Sequence, residues 1–285
     1  MNVRRPLNWV LQRYGYQVAR IADYEPCYFS QPEVQIEVDD RLIAGRVSPR
    51  RKHVWLVAPP KSGSTWLSAL LIELLGWPVV PLQNGYYQRE QEVDRRPILN
   101  YPTVNIFSPH QHCRASQPTL DFIRECRVTT IVQSRNVFDS IISFRDHLVS
   151  KDGELPMVCA DTSYAELSEQ EQYDFVIEMM LPWYMNFYGT WFRQLKDSPG
   201  LAFLAPYERL VTDPHLMLRE ILDFVGEQRT GAEIDLAIEK AKGRFTRKNK
   251  GVIGRGNQTL TTAQISKIQG YRKYFPRIDF SVVGL

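Results

Sequence analysis

The chain has 285 residues, 44% of them hydrophobic and 24% charged, with a formal net charge of +3. That balance is ordinary for a globule, and the charge is too small to argue for bulk nucleic-acid binding, although it suits an anionic ligand if the cations cluster. No run of about 18 apolar residues exists, so no membrane span or anchor is expected. Arg4 and Arg5 precede no apolar signal core, which argues against secretion and for a cytoplasmic location. Cys27, Cys113, Cys126 and Cys159 show no CxxC spacing, so neither disulfides nor structural zinc is expected.

In chain order, residues 7–18 read as an amphipathic helix with Leu7, Val10, Leu11, Tyr14 and Val18 on one side, and residues 33–47 as an irregular strand pair. Residues 54–75 read VWLVAPPKSGSTWLSALLIELL. Val54–Ala58 suits a buried strand, which Pro59-Pro60 ends because proline donates no ladder hydrogen bond. Lys61-Ser62-Gly63-Ser64-Thr65 is a small polar turn, and Trp66, Leu67, Leu70, Leu71, Leu74 and Leu75 recur at helical spacing. A strand, a tight turn and a helix together aim backbone N–H groups at an anion. Gly63 admits close approach, the hydroxyls add donors and Lys61 adds charge. The plain reading is a strand–helix connection with Ser64 or Thr65 as N-cap; a Lys, a Gly and three hydroxyls within five residues favour the anion site. The order is not a Walker A loop, since Lys61 precedes Gly63.

Residues 76–103 form a long connection rich in Pro, Tyr and Asn, and connections of that length are often functional. Val104–Phe107 suits a strand, with Ser108-Pro109-His110 at its end and His112 two residues on. In an extended chain both histidines would point the same way. Val128–Val132 is a β-branched strand, followed by Ser134-Arg135-Asn136 and an amphipathic helix that puts Asp139 and Ser143 on one face. Residues 146–170 read as a second connection. Residues 171–196 read as a helix whose Trp183, Tyr184, Phe187, Tyr188, Trp191 and Phe192 belong to the core. A strand at 201–205 ends at Tyr207-Glu208, helices follow at 214–226 and 232–242, and residues 244–260 gather five cations and three glycines.

The string Pro60-Lys61-Ser62-Gly63-Ser64-Thr65-Trp66 resembles the 5′-phosphosulfate loop of sulfotransferases that use 3′-phosphoadenosine 5′-phosphosulfate (PAPS), with Ser64 in place of a Thr. The resemblance implies that Lys61 contacts the phosphosulfate, that residues 62–65 cradle it and that Trp66 lies near the adenine. In that family an Arg at a strand end and a Ser eight residues later grip the 3′-phosphate; Arg135 and Ser143 have that spacing, with Val137 where the family has Pro. A closing loop of the type Arg-Lys-Gly-x-x-Gly is best matched by Arg247, Lys248 and Gly251, with Arg255-Gly256 as a second register. Tyr207 matches a Tyr beside the adenine.

The implied fold is a single α/β domain over residues 1–285, a mostly parallel sheet flanked by helices with a P-loop-like turn. Its parts are residues 1–50, a donor-binding core at 54–256 and a C-terminal segment at 257–285. The implied reaction passes a sulfuryl group from PAPS to a hydroxyl or amine of a small molecule, leaves 3′,5′-ADP (PAP) and uses no metal. Such transfer needs a base on the acceptor and a cation at the leaving oxygen. Lys61 supplies the cation. Histidine titrates near neutrality, and the family places its catalytic His where His110 stands, with His112, Glu90 and Glu92 as alternatives. Ser108 occupies the place of a frequent family Lys, a charge that Lys61 or Arg114 then has to supply. Tyr86 and Tyr87 are candidates for the acceptor pocket. The competing functions are an ATP-dependent P-loop kinase or NTPase and a non-catalytic nucleotide binder.

Overall fold

The structure, a computed structural model, describes residues 45–82, 93–150, 154–155, 158–243 and 252–285. The expected helix at 7–18 and nearly all of the strand pair at 33–47 lie outside them, as do Tyr86, Tyr87, Glu90, Glu92, Arg247, Lys248 and Gly251.

Strand β1 (His53–Val57) is buried at all five positions, as a parallel strand covered on both faces must be. It leads into helix α1 (Ser64–Leu75), which stops at Gly76, where a left-handed φ of 63° lets the cap N–H reach Ile72 O. Strand β2 (Ile106–Gln111), helix α2 (Gln117–Glu125), strand β3 (Val128–Ser134) and helix α3 (Val137–Ser150) follow. A short antiparallel pair, β4 (Glu154–Leu155) and β5 (Val158–Cys159), precedes helix α4 (Glu169–Asp197). Strand β6 (Ala202–Pro206) then leads to helices α5 (Tyr207–Thr212), α6 (Pro214–Val225), α7 (Gly231–Gly243), α8 (Arg255–Thr259) and α9 (Thr262–Gly270).

The four long strands form one sheet in the order β2-β1-β3-β6, with every neighbouring pair parallel. Val54, Leu56, Phe107, Ile131 and Ala205 turn to one face and pack with α1, α6 and α7 in a single apolar cluster. On the opposite face Trp55 and His53 meet the Phe122 ring of α2 edge-on, at centroid distances of 5.6 and 6.1 Å. The central pair β1 and β3 is in register from His53 opposite Val128 to Val57 opposite Val132. The carboxyl ends of these two strands, and the turns that leave them, are therefore neighbours.

Several boundaries differ from the sequence expectation. β2 runs through Pro109 and His110 instead of ending at Phe107. It is an edge strand, where a missing N–H costs no ladder bond. The residues expected to open a connection at 146 continue α3 to Ser150, with Ile141, Ile142, Phe144 and Leu148 all buried. In α4 a capping box between Ser168 and Glu171 fixes the start. Tyr184, Phe187, Tyr188, Trp191 and Phe192 are core as expected, while Trp183 is only half-buried. α2 and α9 stand where no helix was expected.

Candidate functional site

Two turns meet at the carboxyl ends of β1 and β3. In the first, Lys61 and Gly63 both have left-handed backbone, with φ of 62° and 84°. The Ser62 hydroxyl donates to Pro59 O at 2.8 Å and the buried Tyr184 hydroxyl donates to Pro60 O at 2.9 Å, which fixes the bend from inside. Gly63 itself is the N-cap of α1, rather than Ser64 or Thr65. No side chain caps this helix and its first turn holds no acidic residue. The first-turn N–H groups and the positive end of the dipole therefore have no capping side chain and no first-turn carboxylate among the described residues. Ser62 and Ser64 are buried, while Thr65 and Trp66 are half-buried.

The second turn is Ser134-Arg135-Asn136. Asn136 Oδ1 accepts the N–H of Asp139 at 3.2 Å and so caps α3. Arg135 is 7% exposed and its Nη1 donates to Lys61 O at 2.7 Å, a direct tie between the two turns. Its guanidinium carbon lies 4.6 Å from the centroid of Tyr207, a cation–π geometry. Tyr207 stands between the turns: a Cβ added to Gly63 would come within 2.5 Å of its ring. Trp66 meets the same ring edge-on at 6.4 Å. The Tyr188 hydroxyl both receives the Arg135 N–H and donates to Arg135 O, at 3.1 and 3.0 Å. Glu208 Oε1 accepts the Asn136 N–H at 2.8 Å, and burial pushes its carboxyl above the usual range. Ser143 is buried on α3, one turn beyond Asp139.

The two histidines are neighbours whose ring nitrogens have different partners. The β1–β2 register runs from Trp55 opposite Ser108 to Val57 opposite Gln111, so a bulge-like irregularity lies at Pro109 and His110. Ser108 is fully buried, receives His53 Nε2 at 2.8 Å and donates to Val80 O at 2.7 Å. Its side chain is thus spent in the sheet. His110 turns instead to α1, with Nδ1 3.1 Å from Ser68 Oγ. His112 Nδ1 lies 2.7 Å from Ala58 O, and its ring meets half-buried Trp183 at 6.3 Å. The two imidazoles are 5.8 Å apart. Arg114 is exposed.

The C-terminal basic segment is described from Val252 onward. Asp139 Oδ2 accepts the Gly254 N–H and Oδ1 the Gly256 N–H, each at 2.7 Å. Arg255 pairs with Asp146 at 2.9 Å. A Cβ on Gly256 would fall 2.3 Å from that of Phe138, so only glycine lets the segment lie on α3. The residues at Asp139, Tyr188 and Glu208 were not singled out as partners by the sequence. A capping signal at Asn136 and the Tyr-Glu pair after β6 were the traces available.

A nucleotide carrying one anion at each end fits these residues. The α1 N-terminus, without a side-chain cap, and the buried Arg135, whose Nε has no hydrogen-bond partner among the described residues, are the two groups suited to an anion. Comparison with known proteins agrees. The family described as the sulfotransferase domain matches residues 51–273. A 3-beta-hydroxysteroid sulfotransferase of Cavia porcellus is 21% identical over 298 aligned positions, covering 86% of this chain and 92% of that protein. The crystal structure of mouse sulfotransferase SULT7A1 complexed with PAP has a TM-score of 0.62 at 16% identity, covering 86% of this chain and 92% of that one. Retinol dehydratase in complex with androsterone and inactive cofactor PAP has a TM-score of 0.53 at 14% identity, covering 84% and 85%. The chain therefore belongs to the sulfotransferase family, the enzymes of sulfuryl transfer.

Proposed function

We propose that the protein takes the sulfuryl group from PAPS and delivers it to a hydroxyl or amine of a small-molecule acceptor, with His110 as general base and Lys61 as the cation at the leaving oxygen. One observation carries the reading: Arg135 Nη1 bonds Lys61 O, so the turn that suits a phosphosulfate and the turn that suits a 3′-phosphate stand side by side. In open α/β sheets ligands lie at the carboxyl ends of the strands, and these turns leave adjacent parallel strands. Residues 62–65 line the phosphosulfate end. Arg135 and Ser143 take the 3′-phosphate, for which a planar guanidinium is suited because it bonds two oxygens at once. Tyr207 and Trp66 supply aromatic surface for the adenine.

In the transfer His110 takes the acceptor's proton as the new bond forms from sulfur to the acceptor oxygen or nitrogen. Lys61 holds the charge that collects on the bridging oxygen as the old S–O bond breaks. With Ser108 buried against His53, Lys61 does this without a second lysine from β2. The acceptor class is supported by retinol dehydratase, solved with androsterone, and by half-buried Trp183 beside His112. The protein is proposed to work as a single domain in the cytoplasm; among the described residues no helix is long and apolar enough to cross a membrane.

Calorimetric titration with 3′,5′-ADP and ATP, followed by a PAPS-turnover assay over a panel of phenols, sterols and amines, tests the proposal. 3′,5′-ADP should bind the more tightly, and Lys61→Ala should abolish transfer. His110→Ala should keep 3′,5′-ADP affinity and lose roughly 10² to 10⁴ in rate. Preference for ATP would refute the donor assignment, and the same loss in His112→Ala instead would move the base by two residues.

A further inference from the structure

Helix α1 does more than present an N-terminus. Ser68, one turn beyond Ser64, is 6% exposed and its Oγ lies 3.1 Å from His110 Nδ1. The same oxygen receives the backbone N–H of His110 at 3.4 Å. A hydroxyl oxygen has two acceptor positions and one proton. For a base at Nε2 the ring proton sits on Nδ1, and the second acceptor position of Oγ can receive it. That arrangement leaves Nε2 as the basic nitrogen of the neutral ring.

From this geometry we infer that Ser68 is a positioning residue, which fixes the tautomer and angle of the His110 ring and so ties the base to the helix that begins at the donor loop. The inference rests on His110 being the base. A base needs a third group to orient it, and here that group is a neutral hydroxyl. Because Gly63 caps α1 and Ser68 sits within its second turn, the helix is a rigid ruler between the anion turn and the imidazole. A displacement of the loop moves the base with it. This arrangement keeps the distance between acceptor proton and leaving oxygen constant. His112 has a different tie, to a backbone carbonyl of the β1 end, and so follows the sheet instead of the helix.

The test is a double-mutant cycle in PAPS turnover, with 3′,5′-ADP affinity as the check on the donor site. Ser68→Ala should lower kcat about tenfold, the worth of one hydrogen bond lost at the transition state. Affinity for 3′,5′-ADP should stay within about twofold, since Ser68 lies behind the anion turn rather than on it. The acidic limb of the kcat/KM profile should move to lower pH, because a bond from Nδ1–H to Oγ favours the imidazolium more than the neutral ring. In a His110→Ala background Ser68→Ala should cost nothing further. Equal losses in both backgrounds, an unmoved pH limb or a parallel loss of 3′,5′-ADP affinity would each overturn the inference. If His110→Ala itself turns over normally, the base assignment fails, and that result is read without Ser68.

Discussion

Asp139→Asn is the sharpest test of how the C-terminal segment is held. Asp139 is 2% exposed and both of its oxygens are engaged, one by Gly254 N–H and one by Gly256 N–H, each at 2.7 Å. The substitution keeps size and shape. It keeps one acceptor oxygen but sets an NH₂ group against the other backbone N–H. A hydrogen bond to a charged group is worth about 1.5–3 kcal/mol, and leaving a buried donor unsatisfied adds about 1–3 kcal/mol. Loss of a negative charge from the first turn of α3 adds about 0.3–1 kcal/mol. The sum, roughly 3–7 kcal/mol, exceeds what a short surface segment gains by docking. The segment around 252–260 should therefore detach locally before the domain unfolds. Amide hydrogen exchange is the assay: Gly254 and Gly256 should lose most of their protection while β1 and β3 keep theirs. Unchanged exchange at both glycines would refute the reasoning, since it would mean that the carboxylate does not hold the turn.

Other perturbations follow from the same geometry. Gly63→Ala combines a left-handed φ of 84° with a Cβ 2.5 Å from the Tyr207 ring, so denaturant titration should show a loss of about 2–5 kcal/mol; a near-neutral result would mean the ring swings aside. Arg135→Ala should weaken 3′,5′-ADP about 10- to 100-fold and 5′-AMP, which lacks the 3′-phosphate, far less; equal losses by calorimetry would remove the assigned contact. His53 is fully buried against Phe122, and desolvation, aided by nearby Arg51, lowers its pKa to about 3. A histidine neutral when folded stabilises the fold above its unfolded pKa near 6.5. Stability should fall as the pH drops from there toward 3, with a slope from this group of up to about 1.4 kcal/mol per pH unit. Denaturation series at several pH values should show that slope vanish in His53→Phe, and an unaltered slope would place the proton uptake elsewhere.

The sequence determined the local chemistry. A hydrophobic strand running into Lys61-Ser62-Gly63-Ser64-Thr65 and another into Ser134-Arg135-Asn136 can each be read without a partner, because strand burial, turn chemistry and helix periodicity are short-range properties. The long α4 and the start of α6 at Pro214 were legible for the same reason. Two helices left readable marks that propensity alone understated: the Ser116 cap with Pro118 in the first turn of α2, and the Thr261–Gln264 capping box at the start of α9. Tertiary structure decided the rest. That β1 and β3 are neighbours, and that Arg135 therefore reaches Lys61 O, depends on strand order, which no local pattern encodes. That Ser108 is spent on His53 while His110 turns to Ser68 depends on an irregular register at an edge strand. That Asp139 holds two amides 115 and 117 residues away depends on the chain's return across α3. Each of these is a contact between segments distant in sequence, fixed only when the sheet sets their spacing.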